Sequence, residues 1–420
     1  TYYPGSVFKM VTLSMALEEN VATEETTFTC TGSYVPVQGE RAINCHNTSG
    51  HGTQTLVQGT MNSCNPFFIY LGQLLGTETF FDYFEAFGFT QKTGIDLPGE
   101  SQSIYHDRDM SLMDLAVESF GQNFSITPIQ MITACAAIAN GGYLVQPHVV
   151  SQIVDNDGNI IKTADTTVKR QVISEETSKR VSKILQENAT SGTAKNGYVA
   201  GYRIAGKTGT SEKVGADGKV GSDNKYIASY CGFAPADDPQ YAVLVFFDEP
   251  TGDSYYGSAV AGPVFAKIME EILPYLNVET KYTEDEAGSV GVSAPNVIGK
   301  TVSEATNELT NSGLKILVKG SGDTVIAQTP DPGSSVPSGG TVVVYTDEAS
   351  MNQTVTVPNF TNRSLSDVNY LAAQAGLNIK VTGAYNSSAA TARTQDYAAG
   401  EQIKPGTVIT VNFVEEDTVR

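Results

Sequence analysis

Long apolar runs are missing from this 420-residue chain. No stretch reaches the roughly 18 residues that a membrane-crossing helix needs, and the N-terminus lacks the charged, hydrophobic and small-residue succession of an export signal. These residues are therefore expected neither to span a membrane nor to carry an export tag. Basic residues are also scarce. Twenty-six Lys and Arg face 46 Asp and Glu, leaving a net charge of -20 and a pI near 4.6. Such a field repels phosphate backbones and anionic headgroups, which excludes nucleic acid as a natural partner. Five cysteines, an odd number, do not read as a disulfide framework. Gly 40 and Pro 17 stay well below the low-complexity range, and 40% hydrophobic residues fit a globular protein. At about 100–200 residues per domain the length suggests two to four domains.

Composition shifts after the hydrophobic stretch that ends at Leu276. Residues 277–293, rich in Glu, Asp, Thr, Gly and Ser, read as a linker. Beyond it the sequence repeats. Pro295-Asn296, Lys300, Ser303-Glu304 and Gly313-Leu314 recur as Pro358-Asn359, Arg363, Ser366-Asp367 and Gly376-Leu377, each displaced by 63 residues. Both copies continue with a glutamine (Gln328, Gln395), a turn glycine (Gly333, Gly400) and a closing Gly-Thr-Val (Gly340-Thr341-Val342, Gly406-Thr407-Val408). A repeat of about 60 residues is long enough for a small domain. Ser303–Ser312 and Ser366–Ala375 are expected as helices opened by Ser-Glu or Ser-Asp capping signals and stopped by Gly313 and Gly376. Alternating strands at 315–318 and 341–345, with their counterparts, follow. The Pro-Asn-Val start, downstream Gly-Leu and Pro-Gly turn resemble the PASTA module, with copies over 294–347 and 354–416.

Three short motifs carry chemistry. The chain opens Thr1-Tyr2-Tyr3-Pro4-Gly5-Ser6-Val7-Phe8-Lys9, and Phe8, Val11 and Met15 at helical spacing predict a helix from near Ser6. Ser6 and Lys9 then share a face, placing an amine one turn from a hydroxyl it can deprotonate. The helix start adds unpaired N–H donors for an oxyanion. Ser63-Cys64-Asn65, bounded by Met61-Asn62 and Pro66, reads as a tight turn presenting a hydroxyl and an amide. Lys207-Thr208-Gly209-Thr210 closes the strand-like Tyr202–Ala205 after Gly206. There a glycine lets a substrate backbone lie close, Thr208 can bond a carboxylate and Lys207 adds positive charge. Each motif alone is also an ordinary helix face or polar turn.

Ser-x-x-Lys, then Ser-x-Asn, then Lys-Thr-Gly, in this order, resemble the transpeptidase domain of class B penicillin-binding proteins over residues 1–276. Phe120-Gly121-Gln122, Thr127-Pro128-Ile129-Gln130, Ala139-Asn140-Gly141-Gly142 and Gly232-Phe233-Ala234-Pro235 are similar to that family's connecting segments. The resemblance implies an α/β protein of α+β type, an antiparallel sheet covered by helices, with strands at 226–231 and 241–247. It implies Ser6 as nucleophile toward the D-Ala-D-Ala end of a peptidoglycan stem peptide, Lys9 as base, and Ser63 and Asn65 as proton relay and substrate holder. Lys207, Thr208, Gly209 and Thr210 would form the far wall, with the N–H groups of Ser6 and Thr210 as oxyanion hole. It further implies acylation by β-lactams, glycosyltransferase partners, a Gram-positive owner and a place on the extracytoplasmic membrane face. Family members carry a membrane helix, a non-catalytic domain and the first sheet strands before the serine, so an unpaired sheet edge is expected here. Competing readings are a D,D-carboxypeptidase and a sensor of β-lactams or muropeptides. A class A β-lactamase is disfavoured, since no Glu-x-x-Leu-Asn lies between the second and third motifs.

Cys30, Cys45, His51 and Cys64 number enough ligands for a tetrahedral zinc site, although no Cys-x-x-Cys pair is present. On spacing alone, a Cys30–Cys45 disulfide or buried free thiols compete with metal. The resemblance favours zinc, because some elongation-type relatives hold it at matching positions and Cys64 can point away from the cleft that Ser63 and Asn65 face. His46 competes for a ligand place, and Glu40 remotely so.

Overall fold

The computed structural model of the protein describes residues 1–164, 166–215, 217, 220–279, 281, 291–337, 339–383 and 390–414. The chain divides into two compact units, one of Thr1–Tyr198 with Arg203–Leu276, the other beginning at Asn277 and taking in Val199–Tyr202. Among the described residues no helix is long and apolar enough to cross a membrane.

In the first unit a 3-10 turn over Gly5–Phe8 runs into α1, Lys9–Glu18. Sequence periodicity predicts one apolar stripe on this helix, yet every residue from Lys9 to Leu17 is buried. The reason is position. Helix α1 is enclosed by α3 (Asn65–Ala86), α5 (Pro128–Ala139) and α6 (Glu175–Ser191), so it is buried on every face, and its polar Thr12 and Ser14 are bonded to backbone carbonyls. Phe8, fully buried, anchors it among Phe80, Phe84, Phe89 and Phe124, with ring centroids 4.7–6.2 Å away. Burying a ring of this size stabilises by about 1.5–3 kcal/mol, so the turn carrying Ser6 is held from below.

Strands β1 (Thr27–Cys30) and β2 (Gly52–Thr55) form an antiparallel pair leading into α2, Leu56–Met61. Thr55 caps α2 in a reciprocal box with Gln58. Three longer strands, β3 (Ala205–Glu212), β4 (Tyr226–Ala234) and β5 (Tyr241–Asp248), make an antiparallel sheet in the order β5-β4-β3. Side chains on β4 alternate between faces. Tyr230 stacks on Phe265 of α7 (Gly257–Tyr275) at 4.2 Å, while its neighbour Cys231 meets Cys135 of α5 on the other face. The sheet is thus covered by helices on both sides, as the motif order implied. The remaining helix of this unit, α4, spans Leu112–Glu118.

The connecting segments have clear local tasks. Gln130 accepts from the Thr127 N–H at 2.8 Å and the Ser103 hydroxyl at 3.0 Å, while its amide donates to the Gln91 carbonyl at 2.8 Å. Asn140 donates to the carbonyl of Tyr143 across the Gly141-Gly142 turn.

In the second unit the two copies share one plan. Each pairs a parallel strand and an antiparallel strand with a central one: Lys315–Lys319, Thr341–Tyr345 and Ala327–Thr329 in the first, Asn378–Gly383, Val408–Val414 and Thr391–Gln395 in the second. The helices α8 (Val302–Asn311) and α9 (Leu365–Ala375) start earlier than predicted, because Thr301 and Ser364, two residues upstream of the expected caps, accept the N–H bonds of Glu304 and Asp367. Gln328 and Gln395 play one role. Each accepts from a backbone N–H (Val297, Phe360) and donates to a proline carbonyl (Pro295, Pro358). Val292–Ser293, read from sequence as linker, pairs with Ser335–Val336. Two residues are too few to show strand alternation. Positions 280 and 282–290 of that linker lie outside the described residues.

Candidate active site

The site begins at a close backbone crossing. Gly5 has φ +58° and donates its N–H to the Gly121 carbonyl at 2.8 Å. Gly121, at φ +91°, would place a Cβ 2.0 Å from the Gly5 oxygen. Only glycine fits both the left-handed backbone and the contact. Gly121→Ala is therefore expected to destabilise the first unit by about 2–4 kcal/mol, read as a lower melting midpoint with Ser6 chemistry impaired in parallel.

Ser6 follows, half-buried, and its hydroxyl has no hydrogen-bond partner among the described residues. Because the turn is 3-10, with about three residues per turn, Ser6 and Lys9 stack one above the other, and the Lys9 N–H bonds the Ser6 carbonyl. The other flank of this turn lies against β3. A Cβ on Gly209 would meet Val7 Cγ1 at 3.0 Å and the Pro4 oxygen at 3.1 Å, and the Ser211 hydroxyl donates to the Tyr3 carbonyl at 2.7 Å.

Lys9 is fully buried and donates to three oxygens: Ser63 O at 2.7 Å, Ser63 Oγ at 3.2 Å and Asn65 Oδ1 at 2.7 Å. Burial lowers its pKa to about 8, against a smaller upward pull from the nearby Cys64 and Cys45. Lys207, also fully buried, donates to the same Ser63 Oγ at 2.8 Å. One hydroxyl thus joins two lysines that are distant in sequence. Ser63 reaches this place through a left-handed backbone, φ 49°, between α2 and α3, a conformation that costs a non-glycine residue about 1 kcal/mol or more. Asn65 opens α3 with Pro66 behind it.

Lys207, Thr208, Gly209 and Thr210 lie within β3 and not at the end of the preceding segment. This strand is an edge of its sheet, so alternate N–H and C=O groups face away from β4. The sequence reading gave the glycine here to close substrate approach. The structure shows an internal reason: a Cβ on Gly206 would meet the Tyr230 hydroxyl at 2.4 Å, and one on Gly209 the Ser229 hydroxyl at 2.4 Å. Thr210 Oγ1 accepts from Gly257 N–H at 3.0 Å, tying β3 to the start of α7.

Behind the Ser63 turn, the Cys64 thiol meets that of Cys45. The two sulfurs lie 4.0 Å apart, and His51 Nδ1 is 3.6 Å from Cys45 Sγ. Ligand atoms of Cys30, Cys45, His51 and Cys64 all fall within 4.8 Å of one another, with the three cysteines buried. Tetrahedral zinc with bonds near 2.0–2.3 Å needs S–S edges of about 3.8 Å and S–N edges of about 3.5 Å, so this donor set fits. His46 Nδ1 stands 3.9 Å from Cys45 Sγ on an exposed residue and is not part of the set. The shared Cys64–Cys45 hydrogen bond pulls the Cys45 thiol far below its ordinary pKa and pushes that of Cys64 far above. All five cysteines are free, so no Cys30–Cys45 disulfide forms.

Sequence reasoning missed Asn188, on α6, and Thr193, just beyond its end, which tie these pieces together. A signal was available: Val181, Ile184, Leu185 and Asn188 form one buried stripe, and an amide in such a stripe needs partners.

Known proteins resemble this chain over both units. Residues 1–270 match the family model described as penicillin binding protein transpeptidase domain, and residues 292–348 and 355–415 match the PASTA domain. Stage V sporulation protein D of Bacillus subtilis is 40% identical over 357 residues, which cover 83% of this chain and 54% of that protein. Peptidoglycan D,D-transpeptidase FtsI of Escherichia coli is 29% identical, over 66% of this chain and 45% of its own. The chain spans about half the length of these curated relatives. Penicillin binding protein 3 of Mycobacterium tuberculosis, solved in complex with aztreonam, superposes with a TM-score of 0.60 at 27% identity, covering 67% of this chain and 64% of that one. With the motifs in order, the lysines converging on Ser63 and a family model spanning well over half the residues, the chain belongs to the penicillin-binding protein transpeptidase family.

Proposed function

We propose that the chain is the acyl-transfer part of a peptidoglycan D,D-transpeptidase. The observation that carries this reading is the single Ser63 hydroxyl held by both Lys9 and Lys207 beside the turn that bears Ser6. Neutral Lys9 takes the proton from Ser6 Oγ, and the oxygen attacks the carbonyl between the two terminal D-Ala residues of a stem peptide. The N–H groups of Ser6 and Thr210 receive the oxyanion. The C–N bond to the last D-Ala then breaks, and Ser63 relays a proton from Lys9 to the departing amine. Asn65 holds the substrate amide, while Lys207, Thr208 and Gly209 line the opposite wall, with Thr208 for the substrate carboxylate. An amine of a neighbouring stem displaces Ser6 and forms the cross-link. A β-lactam follows the first half and stops at the ester.

Cys30, Cys45, His51 and Cys64 would hold a structural zinc ion, which supplies a rigid link behind the Ser63 turn and takes no part in acyl transfer. The polymer substrate fits an enzyme working on the extracytoplasmic membrane face beside a glycosyltransferase that makes the glycan strand. Peptidoglycan stem peptides and β-lactams are its ligands.

Intact mass after incubation with a fluorescent penicillin tests the assignment. Wild type is expected to gain one adduct and Ser6→Ala none; an adduct that persists in Ser6→Ala overturns it. Product analysis with a stem peptide and an added acceptor amine then separates transfer, which yields a cross-linked peptide, from hydrolysis.

A further inference from the structure

We infer that Asn188 is a positioning residue that sets the distance between Lys207 and Ser63, an inference that rests on the acyl-transfer reading above. The two catalytic groups are 144 residues apart in sequence and come from separate elements, a strand and an interhelical turn. Their 2.8 Å contact closes only if β3 and the Ser63 turn are held in register. Helix α6 and the residues just after it hold both. The Asn188 amide donates to the carbonyl of Gly206, the residue before Lys207, at 2.7 Å. Five residues on, Thr193 donates its N–H to the carbonyl of Met61, two residues before Ser63, at 2.9 Å. The Thr193 hydroxyl closes the link by donating to Asn188 Oδ1 at 3.4 Å. Lys207, Gly206, Asn188, Thr193, Met61 and Ser63 therefore form a ring of covalent and hydrogen bonds around the C-terminal end of α6.

The surroundings are built for that amide. Asn188 is fully buried in a stripe where Val181, Ile184 and Leu185 are apolar, so its polarity costs stability unless both ends are bonded. Gly192 leaves the room, since a Cβ there would lie 2.3 Å from Asn188 Oδ1. A second strut runs alongside. Tyr230, whose ring fills the space at Gly206, donates its hydroxyl to the Ala194 carbonyl at 3.0 Å. Asn188 is fully buried and its side chain bonds Gly206 and Thr193, so it acts through them. Displacing a catalytic group by about 1 Å can cost two orders of magnitude in rate, so a hydrogen bond at this place bears on chemistry more than on folding.

The test uses the full chain with four proteins: wild type, Asn188→Leu, which keeps the volume but loses the donor, Asn188→Asp, which keeps the shape but loses the donor, and Ser178→Ala. Ser178 also lies buried on α6 and donates to a backbone carbonyl, that of Ile138 at 2.6 Å, but outside the ring. Stopped-flow labelling with a fluorescent penicillin over a concentration series separates initial binding from the acylation step, and melting midpoints are recorded beside it. The expected result is an acylation step slowed about tenfold or more in both Asn188 variants with initial binding unchanged, against a Ser178→Ala protein that melts earlier and acylates normally. Wild-type acylation in either folded Asn188 variant, or equal slowing in Ser178→Ala, overturns the inference. A wild type that forms no acyl-enzyme overturns the acyl-transfer reading itself and takes this inference with it.

Discussion

Lys9→Met should slow acylation of Ser6 by about 10²–10⁴-fold while the protein stays folded. Methionine fills much of the same buried volume and removes the amine, so the readout is chemistry and not a cavity. The structure gives the cause. Lys9 is completely enclosed, its pKa is brought down to about 8, and it sits one 3-10 turn from Ser6. The free amine is the active form. Wild-type acylation is thus expected to rise with pH through about 8, where Lys9 loses its proton, and Lys9→Met should lose that limb. Lys207→Met makes the contrast: it removes the partner of Ser63 Oγ but leaves the base, so the rate falls while the limb remains. Rates measured with one penicillin across pH decide the matter. A Lys9→Met protein that keeps both rate and limb would place the base elsewhere.

Removing the proposed zinc ion should lower the melting midpoint of the first unit by about 10 °C. A ligand present at about a thousand times its dissociation constant stabilises by about 4 kcal/mol, and a unit of this size shifts by about 2–4 °C per kcal/mol. Cys64→Ser should do the same without a chelator, because it deletes one ligand of four. The effect should also reach catalysis. Cys64 is flanked by Ser63 and Asn65, which together accept all three Lys9 hydrogen bonds, so loosening the cysteine side releases the lysine side. The experiment is elemental analysis of the purified protein, followed by melting and penicillin labelling before and after chelation and after zinc is returned. Zinc-bound and stripped protein with equal midpoints and equal labelling would remove the metal from the argument.

Much of this was legible from residue order, and the particular residues show why. Ser6 and Lys9 are close because any right-handed helical turn brings i and i+3 together. Ser63 and Cys64 fall in the turn that Asn62 and Pro66 announce, while Asn65 already opens α3. The 63-residue repeat announced two small domains, and Gln328 and Gln395 later proved to do equal work in each. The failures were also local in origin. Thr301 and Ser364 were passed over as caps because a Ser-Glu or Ser-Asp pair two residues later imitates a cap signal. Gly206 and Gly209 have a packing reason that residue order does not show, because Tyr230 and Ser229 occupy the space a Cβ would take.

By itself the sequence determined which groups are present and which local turns display them: the serine with its lysine, the hydroxyl and amide at 63 and 65, four soft ligands, and two repeats behind. Tertiary structure alone decided that Lys207 and Lys9 meet on one hydroxyl, that His51 and not His46 joins three buried sulfurs, and that Asn188 braces the contact from a third element. These relations span separations such as 144 residues between Ser63 and Lys207. The physical reason is the range of the forces involved. Helical and turn preferences act over three or four residues, whereas a hydrogen bond between distant segments exists only after a packed core has fixed both segments to within a few tenths of an ångström.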